Sequence, residues 1–144
     1  MFSKATEYAL RATIYIAQKS SEENKLGIDE IAEAINTPKA FTAKILQILC
    51  KDNTLVSSVR GPNGGYYISN KAKKLPVFSI VLKMGEKDVI DNCVLGLKKC
   101  SEKDPCPMHH QYKKIKADLI NLFESKSIEQ LAKEIEKGKA VISG

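Results

Sequence analysis

Leu55-Val56-Ser57-Ser58-Val59-Arg60-Gly61-Pro62-Asn63-Gly64-Gly65-Tyr66-Tyr67-Ile68-Ser69 is the stretch whose reading decides the fold. Its two ends are short runs rich in β-branched and aromatic residues, and the intervening Arg60–Gly65 is dense in residues that tolerate turn dihedrals. The pattern predicts a β-hairpin. Just upstream lie two apolar stripes at helical spacing. Ile28, Ile31, Ala32 and Ile35 form one, in a helix opening near Asp29; Phe41, Ile45, Ile48 and Leu49 form the next, which runs to about Lys51. Asn36-Thr37-Pro38 separates them, with Thr37 suited to the N-cap and Pro38 to the first helical position. Two short helices, a tight turn and a hairpin predict a winged helix-turn-helix.

Further out, Ser3 to Ser20 reads as a helix capped by Ser3, with Ala5, Tyr8, Ala9, Ala12, Tyr15 and Ile16 on its inward side. Ser20 to Lys25 reads as a loop. Beyond the hairpin, Val77 to Met84 predicts a short helix, followed by a polar loop. A longer helix from about Met108 carries Tyr112, Ile115, Leu119, Leu122 and Phe123 on one side. That stripe needs a partner, either the chain's own first helix or a second protomer. Ser127-Ile128-Glu129-Gln130 matches a capping box, opening a last helix that ends near Gly138. The expected class is mainly α with a small β-hairpin, a winged helix-turn-helix plus C-terminal dimerisation helices. The expected division is a DNA-binding unit over 1–75, a linker helix and sensor loop over 76–107, and dimerisation and C-terminal helices over 108–144.

The formal charge of +6 is local. Between Asn36 and Leu75, Lys39, Lys44, Lys51, Arg60, Lys71, Lys73 and Lys74 face a lone acid, Asp52, and the rest of the chain is neutral overall. Such an excess is the footprint of a polyanion partner. In this architecture the second helix of the pair enters the major groove of double-stranded DNA. Its solvent side is expected to offer Lys39, Thr42, Ala43, Lys44 and Gln47 to bases and phosphates. Arg60 on the hairpin suits the minor groove. Ser57, Ser58 and the tip residues Gly61, Asn63 and Gly64 suit phosphates.

The chain starts without the basic flank, apolar run and cleavage site of a signal peptide, and holds no run long enough to span a membrane. The expectation is a cytoplasmic protein with reduced thiols. Cys93, Cys100 and Cys106 then stand as C-x6-C-x5-C, with His109 three residues on. Thiolate sets of this kind suit Zn²⁺ or an iron–sulfur cluster, with a histidine available as a fourth ligand. Cys50 lies far off and reads as structural. No Cys-x-x-Cys pair, nucleophile elbow or phosphate-binding loop is present, so a thiol enzyme is not expected.

The string Leu55-Val-Ser-Ser-Val-Arg-Gly-Pro-Asn-Gly-Gly-Tyr66 resembles the wing of the Rrf-type bacterial regulators, a group with an iron–sulfur cluster regulator, a nitric-oxide-sensitive repressor and a cysteine-metabolism repressor. Tyr8-Ala9-Leu10-Arg11, Ile31-Ala32 and Lys44-Ile45-Leu46-Gln47 resemble the same pattern. Asp52-Asn53-Thr54 stands where the family has a short glycine turn. Ala43 stands where the iron–sulfur regulator has Glu, so that protein's DNA preference does not carry over. The resemblance implies a [2Fe–2S] or [4Fe–4S] cluster on Cys93, Cys100 and Cys106, with His109 at the fourth-ligand position. It also implies an alternative fourth ligand, Glu7 from the partner subunit. The function expected is a homodimeric regulator, a repressor acting on a near-palindromic operator. The alternatives are a zinc or thiol-redox site in the same fold, or no cofactor.

Overall fold

The computed structural model describes residues 1–98, 100–138 and 142. Helix α1 (Lys4–Lys19) begins where the Ser3 hydroxyl accepts the Thr6 N–H, with Glu7 in the positive first turn. Ala9, Ala12 and Ile16 are sealed from water, and Thr13 is buried beside them with its hydroxyl donating to the Ala9 carbonyl. Helices α2 (Ile28–Ala34) and α3 (Lys39–Leu49) form the helix-turn-helix pair. Asn36 turns the chain between them at φ 52°, a left-handed conformation that asparagine tolerates better than most residues.

Two details of this pair differ from the sequence expectation. Pro38, not Thr37, occupies the N-cap of α3; Thr37 is buried, with its hydroxyl on the Ile35 carbonyl. The buried side of α3 is Thr42, Ile45, Leu46 and Leu49, while Ile48 is 43% exposed. The helix carries apolar residues on more than one side, and the side at i, i+3, i+4, i+7 that meets α1 wins.

Within the 3-10 turn Lys51–Asn53, Asp52 (φ 65°) and Asn53 (φ 50°) make the left-handed bend that a glycine would otherwise make. The Asn53 side-chain oxygen also accepts the Ser58 N–H at 3.1 Å, tying the bend to the wing. Strands β1 (Ser57–Val59) and β2 (Gly65–Tyr67) pair antiparallel with Ser57 opposite Tyr67, Ser58 opposite Tyr66 and Val59 opposite Gly65. At the tip the Gly64 N–H donates to the Gly61 carbonyl (2.9 Å), and a Cβ on Gly64 would fall 2.1 Å from the Val59 carbonyl oxygen. Leu26, one residue past the expected Ser20–Lys25 loop, exchanges both backbone bonds with Tyr66 (2.9 and 2.8 Å). The wing is therefore docked on the segment that leads into α2.

Helices α4 (Asn70–Lys73), α5 (Phe78–Lys83), α6 (Lys87–Asp91), α7 (His109–Glu124) and α8 (Ile128–Gly138) follow. At α8 the capping box closes reciprocally: Gln130 N–H to the Ser127 hydroxyl at 3.1 Å, Ser127 N–H to the Gln130 side-chain oxygen at 2.9 Å. Around Pro76 and Ser127 the backbone is clasped by Ile128 N–H to the Leu75 carbonyl (2.9 Å) and Val77 N–H to the Lys126 carbonyl (3.0 Å). One core gathers α1, α2, α3, the hairpin flanks, α5, and Ile128 and Ala132 of α8. A smaller one joins Phe78, Val81 and Ile90, with Phe2, Ile120 and Phe123 against it. No helix among the described residues is long and apolar enough to cross a membrane.

Candidate nucleic-acid interface and candidate metal centre

Helix α3 and the wing face one groove of about 390 Å³, lined by Gln47, Cys50, Ser58, Arg60 and Tyr66 among others. Lys39, Lys44 and Gln47 are exposed on α3, as are Ser58, Arg60, Gly61 and Asn63 on the wing; Ser57 and Gly64 are half-buried. Thr42 does not belong with them. It is fully buried and its hydroxyl donates to the Pro38 carbonyl at 3.0 Å, so it packs the helix-turn-helix and offers no methyl to a base. Lys39 Nζ lies 3.1 Å from Asp29 Oδ1, an intramolecular pairing that the sequence reading did not foresee. Cys50 closes α3 beside Ser58. Burial pushes its thiol up to about 11, against a weaker pull from the Ser58 hydroxyl, so it stays protonated at neutral pH.

The second site lies between α6 and α7. The sulfurs of Cys93, Cys100 and Cys106 all fall within 4.8 Å of one another, with Cys93 and Cys106 at 3.8 Å. Backbone N–H donation from Leu97 lowers the Cys93 thiol to about 7, which favours the thiolate that metals bind. His109, the first residue of α7, brings Nδ1 to 3.5 Å from Cys100 Sγ. Its Nε2 is buried and unbonded; Glu102 Oε1 is 3.4 Å away but out of line for a hydrogen bond. Glu102 is held in turn by Lys113 Nζ at 2.6 Å. The His110 ring stacks edge-on against His109 at 5.4 Å between centroids.

The donor set fits a thiophilic metal or an iron–sulfur cluster: three convergent sulfurs, one already inclined to ionise, and a half-buried imidazole with a shielded, unsatisfied nitrogen. Glu7 does not join this group within the chain; it sits exposed on α1 and pairs with Lys4 at 3.3 Å. Glu102 and Lys113 escaped the sequence reading because a loop carboxylate and a helix lysine carry no periodic or spacing signal.

The chain matches the model of the Rrf2 family, described as iron-dependent transcriptional regulator, over residues 2–134. It is 31% identical over 139 residues to a putative HTH-type transcriptional regulator of Aquifex aeolicus (strain VF5), covering 95% of this chain and 94% of that protein. It is 28% identical over 135 residues to the HTH-type transcriptional regulator NsrR of Oceanobacillus iheyensis, covering 93% of this chain and 90% of that one. The structure of CymR, the global cysteine regulator of B. subtilis, matches with a TM-score of 0.74 at 19% identity, covering 93% of this chain and 97% of that chain. This last likeness shows the fold, a winged helix. These relatives are regulators and not enzymes.

Proposed function

The chain belongs to the Rrf2 family of DNA-binding transcription regulators, and from that premise we propose that it is a homodimeric repressor that senses iron–sulfur status, redox state or nitric oxide at its cysteine loop. The observation that carries this reading is the convergence of Cys93, Cys100 and Cys106 within 4.8 Å. Those three thiolates and His109 would hold an iron–sulfur cluster; Glu7 of the partner subunit is the alternative fourth ligand. When bound, such a cluster supplies a centre that changes charge on oxidation and reacts with oxygen and nitric oxide.

The chain's own residues divide the work. Residues 1–75 bind DNA: Lys39, Lys44 and Gln47 approach the major groove, Arg60 the minor groove, and Ser57, Ser58, Gly61, Asn63 and Gly64 the phosphates of a near-palindromic operator. Residues 76–107 link and sense. Residues 108–144 supply the dimer helix α7 and the returning helix α8. Support for the dimer comes from Met108, which caps α7, and Ile115 and Leu122 on it, seven residues apart and 44%, 55% and 61% exposed. A stripe at that spacing keeps one seam toward a partner helix. The sensor loop runs directly into that helix. Its state acts on DNA only by favouring one dimer geometry in free energy.

The test is a visible spectrum with iron, sulfide and zinc analysis on protein purified without oxygen. Iron, sulfide and visible absorption are expected, and joint replacement of Cys93, Cys100 and Cys106 by Ala removes all three. Zinc alone, or no metal after reconstitution, would move the assignment to a zinc or thiol-redox regulator of the same fold. That second reading draws on the lowered Cys93 thiol beside Cys106. Loss of iron in His109→Ala selects His109 as fourth ligand, and loss in Glu7→Gln alone selects Glu7. DNA binding is checked by its salt dependence, which weakens steeply as salt rises if phosphates carry the affinity.

A further inference from the structure

We propose that Glu102, braced by Lys113, is a positioning residue that turns the His109 ring so that Nδ1, and not Nε2, is the atom offered to the cysteine site. The proposal rests on the reading of His109 as a ligand and adds which nitrogen it uses and what holds it there.

The two ring nitrogens of His109 face different chemistry. Nδ1 looks toward sulfur, 3.5 Å from Cys100 Sγ, and the pocket there is lined by all three cysteines. Nε2 looks the other way, 3.4 Å from Glu102 Oε1, and is cut off from water without a hydrogen bond. An imidazole that gives Nδ1 to a metal must carry its proton on Nε2, and that proton needs an acceptor. Glu102 is a carboxylate on an exposed loop, so a small turn of its side chain converts the near contact into that bond. Metal-bound histidines commonly hand their other N–H to a carboxylate in this way, which fixes the ring and raises its basicity.

Lys113 explains why the carboxylate waits there. Its ammonium lies 2.6 Å from the same Glu102 oxygen, and it projects from α7 one turn beyond His109. Residues i and i+4 share a helix face. Glu102 is thus drawn onto α7 beside the ring by a charge on the ring's own helix.

The test loads the full-length protein with cobalt(II), and separately with an NMR-active cadmium isotope, in the absence of oxygen. In the wild type, cadmium is expected to couple to the Hε1 proton of His109 and not to Hδ2, as an ion on Nδ1 must. Coupling to both ring protons places the ion on Nε2 and overturns the proposal. Glu102→Ala is expected to weaken cobalt binding by about 10–100-fold with the ligand-field bands in place, and Glu102→Gln, which keeps a carbonyl acceptor, to recover most of it. Wild-type affinity in Glu102→Ala also overturns the proposal. Unchanged bands in His109→Ala, by contrast, remove His109 as a ligand and defeat the underlying reading instead. Glu102 is exposed, and circular dichroism of each variant confirms that the fold is kept.

Discussion

In the stretch from α1 to β2, Ile16, Ile31, Ile35, Leu46 and Leu49 are all but sealed from water, whereas α7 contributes not one buried residue and leaves Ile115 and Leu122 more than half exposed. The first stretch spends its apolar residues on itself, and its turns are set by local chemistry at Asn36, Asp52, Asn53 and Gly64. The second spends them outward and gathers its polar and sulfur atoms inward. The difference teaches that the stretch from α1 to β2 closes its core within the chain, with α5 and α8 completing it, while the cysteine loop and α7 leave converging sulfurs and an exposed apolar stripe that the chain itself does not cover.

The two thiol environments sharpen this contrast most. Cys50, closing α3, is pushed up to about 11 by burial, while Cys93 is lowered to about 7 by backbone N–H donation. At neutral pH the metal-free protein should therefore lose Cys93 to iodoacetamide on the order of a thousandfold faster than Cys50; comparable rates by peptide mass mapping would erase the distinction. The sign for stability follows from Cys50. Folding favours its neutral thiol, so the contribution is complete below the ordinary 9.0 and is lost as pH rises toward about 11. Cys50→Ala should flatten that alkaline loss in urea titrations.

Truncation comes next. Leu46→Ala should cost about 2–5 kcal/mol in urea unfolding, whereas Ile115→Ala, measured at protein concentrations that keep the chain monomeric, should stay within about 0.5 kcal/mol. Equal losses would mean that α7 is packed within the single chain after all. Gly64→Ala should cost more than about 1 kcal/mol, because its Cβ meets the Val59 carbonyl oxygen, and should lower DNA affinity with little effect on metal content. Ser127→Ala should cost about 1 kcal/mol from one half of the capping box, read as a lower melting temperature with DNA affinity nearly kept.

Local rules made much of this legible. The wing, the two helices before it and the Ser127–Gln130 box each rest on short-range chemistry, and the structure forms them. What stayed hidden depends on partners distant in sequence. Leu26 forms a β-bridge only because Tyr66 arrives beside it. Leu46, and not Ile48, turns inward because α1 lies on that side, and the same rotation carries Thr42 out of the solvent face. Helices α4 and α6 are too short for a period to show. At the cysteine site the spacing pointed to convergent sulfurs, yet Glu102 and Lys113 act through geometry alone.

The clasp around Pro76 and Ser127 has a consequence for how such a protein can be remade. The chain leaves and re-enters at a point where the two backbone segments are bonded to each other, so the whole excursion through the cysteine loop is closed at its base, like a purse drawn shut. Lengthening or shortening what lies inside alters a loop whose ends stay together, and the entropy of closing a loop changes only slowly with its length. Beyond α5 and α6, whose Ile80 and Ile90 are committed to the two cores, the segment that carries the three cysteines can thus change length at small entropic cost.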